Sequence, residues 1–413
     1  METKTARIWN KVYTCTFIAN ALQGVSLYLV NPLIANYVKL LGADEVMIGL
    51  LSGFYFGVAV AARPFSGPAV AKLNKKRIML FAYAIGVAVN IGYAISGGIP
   101  SFIAPRLMQG IQFAFLGSIN LTLASDSLPP EKMGAGLGIF GVGGAVANAI
   151  APSAGMALRA WGAQCYGSLK AGYTVVFLTA AACMLVSLLP CAIMPYTKPS
   201  EEELSRLGIW YKNIFAKEAL VPAAVVACMS TSVICYTIYI ERFAEAKGIG
   251  GIGWFFTVYA IALIASRPLC GGLIDKYGTA KVFLPSACLF ALSFVIVAFS
   301  NSLSGILIGA AVAAAAYGAS QPAMQTMCIL SVEPVRRGVA SNTNYFGIDI
   351  GNFIGPIIAG VMVSRFGFLN TSALFGASLI TFSPLYLVMI LPVFLAMIVF
   401  ALGWGSFNRT MIK

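Results

Sequence analysis

One carboxylate in this 413-residue chain lies in an unusual place. Asp349 sits in Tyr345-Phe346-Gly347-Ile348-Asp349-Ile350-Gly351-Asn352, about eleven residues into a run apolar enough to cross a membrane. A carboxyl at that depth must face a cavity or a partner, and one facing a cavity is placed to take up and release a proton. A structural aspartate bonded to neighbouring helices would satisfy the same cost. The second such group is Arg106, in Arg106-Leu107-Met108-Gln109-Gly110. A guanidinium stays ionised, so it needs carbonyls, Gln109, a carboxylate, water or an anionic substrate around it. It either ties helices together or takes part in coupling or substrate contact.

Other polar side chains interrupt apolar runs: Asn20 and Gln23, then Asn120, Tyr236 and Tyr239, Gln321 and Gln325, and Asn342, Asn344, Tyr345 and Asn352. Polar groups this dense seldom face lipid. They are candidates for a substrate cavity, with hydrogen bonding between helices as the competing role for each.

Catalytic chemistry has little to work with. The chain has no histidine, and none of its nine cysteines forms a CxxC pair. A buried cysteine in an apolar run behaves as a small hydrophobe. No Gly-Lys-Ser/Thr follows the glycine-rich stretch from Gly134 to Gly155, so ATP is not expected as the energy source. The expectation is a protein that is not an enzyme and needs no cofactor or metal.

The elements that must position these residues are membrane spans. The chain is 59% hydrophobic and 10% charged, with a mean hydropathy of +0.86, against about 25% charged in a soluble domain. A span needs about 20 apolar residues. Twelve such runs are predicted: 12–36, 46–69, 78–97, 99–124, 135–158, 171–194, 219–240, 251–271, 282–299, 303–329, 338–362 and 375–398. The first is too long for a cleaved signal and is read as retained.

The runs repeat. Arg63-Pro64-Phe65-Ser66-Gly67 and Arg267-Pro268-Leu269-Cys270-Gly271 stand 204 residues apart, as do Ala151-Pro152 and Gly355-Pro356. A charged linker at 195–218 divides a six-helix lobe, 1–194, from a second, 219–413. An all-α, two-lobed duplicated membrane bundle is the architecture of a secondary transporter.

The net charge of +13 does not signify nucleic acid. Eighteen basic residues fall on one side of the spans, including Lys72, Lys75, Lys76, Arg77, Lys198, Lys212, Arg336 and Arg337, and six on the other. The partner is the lipid bilayer, with both termini and the linker in the cytoplasm of the cell inner membrane.

The loop Gly271-Gly272-Leu273-Ile274-Asp275-Lys276-Tyr277-Gly278 resembles the signature cytoplasmic loop of the major facilitator superfamily, in its twelve-helix bacterial efflux branch of drug:proton antiporters and sugar-efflux carriers. The resemblance covers essentially the whole chain. In that family the loop latches one conformational state, so it assigns latch roles to Gly271, Asp275, Lys276, Gly278, Arg63 and Arg267. Physically, Gly271 would permit close helix approach, Asp275 would sit at a helix N-terminus, and Gly278 would supply a positive-φ turn.

The copy at Gly67–Arg77 keeps Lys75 and Lys76 but has Ala71 at the aspartate position and Asn74 at the second glycine. Asn74 is expected to hold the left-handed turn. Arg106-x-x-Gln109-Gly110 resembles a motif tied in the family to proton coupling, and the helix 5 run resembles the antiporter motif, with Ala151 and Met156 replacing glycines.

Two functions follow. The first is proton-coupled efflux of a small organic solute by alternating access, through Asp349 and Arg106, with the monomer as the working unit. The alternative is uptake or exchange of a small anionic or neutral metabolite, with Asp349 structural. The absence of a carboxylate from the first span weakens export of cationic drugs.

Overall fold

The computed structural model describes residues 8–43, 45–196, 214–374 and 378–411. Lys4, Arg7, Lys198, Lys212, Lys413 and most of the 195–218 linker lie outside the described residues.

Twelve helices of 21 residues or more are present among the described residues. They are α1 (Lys11–Leu40), α2 (Glu45–Lys72), α3 (Lys75–Ile95), α4 (Ile99–Asp126), α5 (Met133–Tyr166), α6 (Leu169–Ile193), α7 (Leu220–Ala246), α8 (Gly253–Tyr277), α9 (Thr279–Phe299), α10 (Leu303–Leu330), α11 (Arg337–Phe366) and α12 (Ile390–Met411). Eleven spans among the described residues are long and apolar enough to cross a membrane. The remaining long helix, α2, carries Arg63, Pro64 and Pro68 in its last three turns.

Local chemistry sets several helix starts. Asn10 Oδ1 accepts the Tyr13 amide at 2.9 Å, and Ser302 Oγ accepts the Gly305 amide at 3.3 Å. Each satisfies a donor that the first helical turn leaves without a partner. Asn74 corrects the expectation of a left-handed turn. Its φ is −66°, and it caps α3 by accepting the Arg77 amide at 3.1 Å. A short amide side chain can do either job, and the open first turn of α3 favours capping.

The last span also departs from expectation. Where a helix was expected from 375, the chain forms an antiparallel hairpin, β1 (Asn370–Leu374) with β2 (Ser378–Phe382), in the register Asn370↔Phe382. A short helix, Pro384–Val388, then leads into α12. The segment Ser378-Leu379-Ile380-Thr381-Phe382 is apolar but rich in strand formers, and Pro384 suits a first helical turn. Apolarity alone did not separate the two.

The chain divides into two compact units. One holds Met1–Lys132, Gly143–Ala216 and Val332–Tyr345; the other holds Met133–Val142, Lys217–Ser331 and Phe346–Lys413. In the first, α1 packs on α2, α4 and α6, α2 on α4, and α3 on α4 and α6. In the second, α7 packs on α10 and α12, α8 on α10, and α9 on α10 and α12. Apart from α1 on α2, the same pairings recur six helices later, as duplication predicts.

Candidate functional site

Arg106 is buried in the first unit, where three helices meet. Its Nε donates to the Leu51 carbonyl at 2.9 Å, its Nη1 donates to Gln109 Oε1, and its guanidinium lies 4.6 Å from the Tyr55 ring centre. Gln109 Oε1 also accepts from Tyr93 Oη at 2.8 Å. Gly110 makes this possible: a Cβ there would fall 2.5 Å from Val58 Cβ and 2.8 Å from the Tyr55 carbonyl. The cation is therefore held by α2 and α4 through carbonyl, amide and ring.

A second cluster joins α1, α3 and α4. Asn120, fully buried, donates through Nδ2 to Gln23 Oε1 at 2.9 Å, Tyr83 Oη at 3.1 Å and Asn20 Oδ1 at 3.2 Å. Three of the residues expected in a cavity thus meet at one point. Tyr83 is the member that sequence reasoning missed, because a tyrosine in an apolar run carries no signal of its own.

The base of α11 makes a third cluster in the same unit. Asn342 Oδ1 accepts from Ser66 Oγ at 2.6 Å and Ser118 Oγ at 3.0 Å. Its Nδ2 donates to the Arg63 carbonyl at 2.8 Å. Arg63 is fully buried; Nη1 donates to the Ala114 carbonyl at 2.7 Å and Ser118 Oγ at 2.8 Å, and the guanidinium lies 5.1 Å from the Tyr345 ring. Thr343 Oγ1 accepts the Ala216 amide at 2.9 Å. Asn344 is fully buried beside them. Ser66 and Ser118 were not legible in the sequence, since helical serines usually bond back to their own helix.

In the second unit the equivalent arginine is seated differently. Arg267 Nη2 donates to Gln321 Oε1 at 2.7 Å. A Cβ on Gly138 would lie 2.6 Å from the Arg267 carbonyl, and one on Gly141 would overlap its guanidinium. By the 204-residue offset, Gly138 and Gly141 stand where Asn342 and Tyr345 stand in the other repeat. Arg63 is held by Ser118 and the Ala114 carbonyl, whereas Arg267 is held by Gln321 and lies against the glycine face of α5.

Asp349 is fully buried near the middle of the 30-residue α11. Around it, Gly347, Gly351 and Gly355 lie against the carbonyls of Ala223, Ala227 and Thr231 in α7, where a Cβ would fall at 2.2, 2.3 and 2.5 Å. That ladder fixes the rotation of α11. Asp349, two residues from Gly347 and from Gly351, is turned away from α7. Asn352 is half-buried one turn on, and Gln325 is buried in α10. Tyr236 packs into an aromatic core, 4.6 Å from the Phe294 ring and 5.8 Å from those of Phe255 and Tyr386, with its Oη 2.8 Å from Ser293 Oγ.

The loop after α8 has the local geometry that its residue types suggest. Asp275 accepts the Gly134 and Ala135 amides at 2.8 and 2.9 Å, at the N-terminus of α5. Gly271 lets the backbones meet: its Cβ would lie 2.7 Å from the Gly134 carbonyl. Gly278 has φ +84° between α8 and α9. Lys276 lies over the Tyr277 ring at 5.1 Å. In the first unit Ala71 replaces the capping acid. There, Arg337 at the start of α11 donates to the Ser125 carbonyl at 2.9 Å and lies 3.9 Å from Asp126, which Lys75 also binds at 2.6 Å. Two cations at the C-terminus of α4 suit the negative end of its dipole. All nine cysteines are free.

A duplicated bundle of membrane-length helices with buried polar clusters is the architecture of a solute carrier. The family model for the Major Facilitator Superfamily matches residues 16–250 and 220–408, and the chain belongs to that superfamily. It is a multi-pass, secondary-active carrier that moves a small organic solute by alternating access and catalyses no reaction on it.

The chain is 27% identical over 380 residues to the multidrug resistance protein MdtG of Salmonella schwarzengrund, covering 87% of this chain and 90% of the relative. It is 26% identical over 404 residues to MdtG of Enterobacter lignolyticus, covering 92% and 91%. Among solved structures, the human organic anion transporter MFSD10 superposes with a TM-score of 0.72 at 14% identity, covering 94% of this chain and 98% of that one. The transporter FucP in its outward conformation gives 0.72 at 15% identity, covering 97% and 99%. These structures share the fold.

Proposed function

We propose that the chain takes up or exchanges a small neutral or anionic organic solute across the cell inner membrane, with both termini cytoplasmic and one chain as the working unit. One observation carries this reading. The buried mid-span chemistry of the first unit is neutral amide and hydroxyl, from Asn20, Gln23, Tyr83 and Asn120, joined by the cation Arg106. Among the described residues, the acids of that half, Glu45, Asp126 and Glu131, lie at helix ends or in the turn after α4. Such a surface hydrogen-bonds hydroxyls and carboxylates and offers a cationic drug no counter-charge. The solved carriers of like fold include one described as an organic anion transporter and one described as a fucose:proton symporter. Gln321, Gln325, Tyr345 and Asn352 are the second half's candidates for solute contact. Arg106, held by Leu51 and Gln109, acts by positioning.

A second reading, proton-coupled efflux, has its own support: Asp349 buried at mid-span, and relatives named for multidrug resistance. In it Asp349 takes and releases the coupling proton.

The test is a flux panel of sugars, carboxylates, neutral drugs and cationic drugs in proteoliposomes. Flux of sugars or carboxylates, reduced tenfold or more by Asn120→Leu, is the expected result. Flux confined to cations would contradict the proposal.

A further inference from the structure

The first unit encloses a small cavity of about 10 Å³ between α1, α3, α4 and α6. Leu27, Val89, Phe113 and Met184 form its apolar wall, and five polar side chains face it: Gln23, Ser26, Asn90, Gln109 and Gln112, each more than nine-tenths buried. Gln112 supplies the decisive detail. It is 4% exposed, and its Nε2 has no hydrogen-bond partner among the described residues. Gly86 leaves it room; a Cβ there would lie 3.1 Å from that nitrogen. A buried amide nitrogen bordering a cavity needs an acceptor.

The size and chemistry of the cavity select that acceptor. Its volume is about that of one water and too small for a solute or an oxyanion. No carboxylate lines it, and Gln109 ties its wall to the Arg106 cation, which disfavours a metal ion. We propose that one water molecule occupies this cavity as a resident ligand, accepting from Gln112 Nε2 and donating to oxygens of the lining.

The consequence reaches the candidate site. Gln109 is the partner of Arg106 and Tyr93, and Gln23 is a partner of Asn120. Both border the cavity. A water there joins the Arg106 and Asn120 clusters into one network across α1, α3 and α4. This holds whichever solute is carried and whether or not protons are coupled.

The test uses the full chain in lipid, labelled with ¹⁵N-glutamine, and follows magnetisation from water to side-chain amides by solid-state NMR. Gln112→Met removes and so identifies the Gln112 signal while keeping side-chain length. Gln112→Asn is the second variant, keeping an amide nitrogen. The expected result is water transfer to the Gln112 amide, with Gln112→Met lowering the unfolding temperature by about 2 °C. No transfer in the wild type would overturn the proposal. So would a raised unfolding temperature in Gln112→Met, the outcome for a dry site relieved of a donor without an acceptor.

Discussion

At the residue scale, the buried charges show what a sequence can and cannot say. Asp349 and Arg106 were legible because charge inside an apolar run is costly and so marks a constrained position. Their partners were not, because backbone carbonyls carry no residue identity: Arg106 is held by the Leu51 carbonyl and Arg63 by the Ala114 carbonyl. Asn342 was legible as a polar group at membrane depth, but not as the hub between Ser66, Ser118 and Arg63. Asn342→Ala leaves those serines and that carbonyl short of partners. It is expected to lower stability by about 2 kcal/mol, read as a fall in unfolding temperature of the purified protein. Asp275 offers a graded comparison. Asp275→Ala removes the acceptor from the start of α5 and is expected to lower stability by about 1 kcal/mol. Asp275→Asn keeps an acceptor and loses only the charge, so it should fall between wild type and alanine. Equal losses in both variants would show that the charge, rather than the hydrogen bonds, supplies the effect.

At the element scale, glycine spacing sets how helices meet. The run from Gly134 to Gly155 was readable as a packing face, but the sequence did not show that its two ends serve different neighbours. Gly134, Gly138 and Gly141 lie against α8, whereas a Cβ on Gly155 would fall 2.6 Å from the Leu29 carbonyl of α1. The hairpin at 370–382 was missed because apolar content resembles a span until strand formers and proline are weighed. The α11 ladder yields the sharpest comparison. Gly351→Ala places a Cβ 2.3 Å from the Ala227 carbonyl, which rigid backbone cannot relieve. It is expected to destabilise by about 2 kcal/mol and to rotate or shift α11, displacing Asp349. Gly57→Ala in α2 meets nothing within 4 Å and should be neutral or stabilising by up to about 1 kcal/mol. Thermal unfolding of the two variants side by side measures the contrast; equal effects would contradict the close approach of α11 and α7.

At the scale of the whole molecule, the duplication was the most legible feature, since Arg63-Pro64 and Arg267-Pro268 repeat at the spacing that later separates like helix pairings. What divergence did to each copy was not legible. Arg63, held by Ser118, and Arg267, held by Gln321 against the glycines of α5, occupy equivalent positions with different partners. Ala71 and Asp275 differ in the same way, with Arg337, Asp126 and Lys75 joined where the capping acid is absent. The two halves of the carrier are therefore held by unlike interactions. Substrate class rests on the whole arrangement, and exchange tests it most directly. Proteoliposomes loaded with the solute identified in the flux panel, a pH-sensitive dye and equal pH on both sides would be supplied with labelled solute. The account predicts rapid exchange with no dye response, retained in Asp349→Asn. Transport that requires a pH gradient, moves the dye and is lost in Asp349→Asn would contradict it and establish proton-coupled efflux or symport through Asp349.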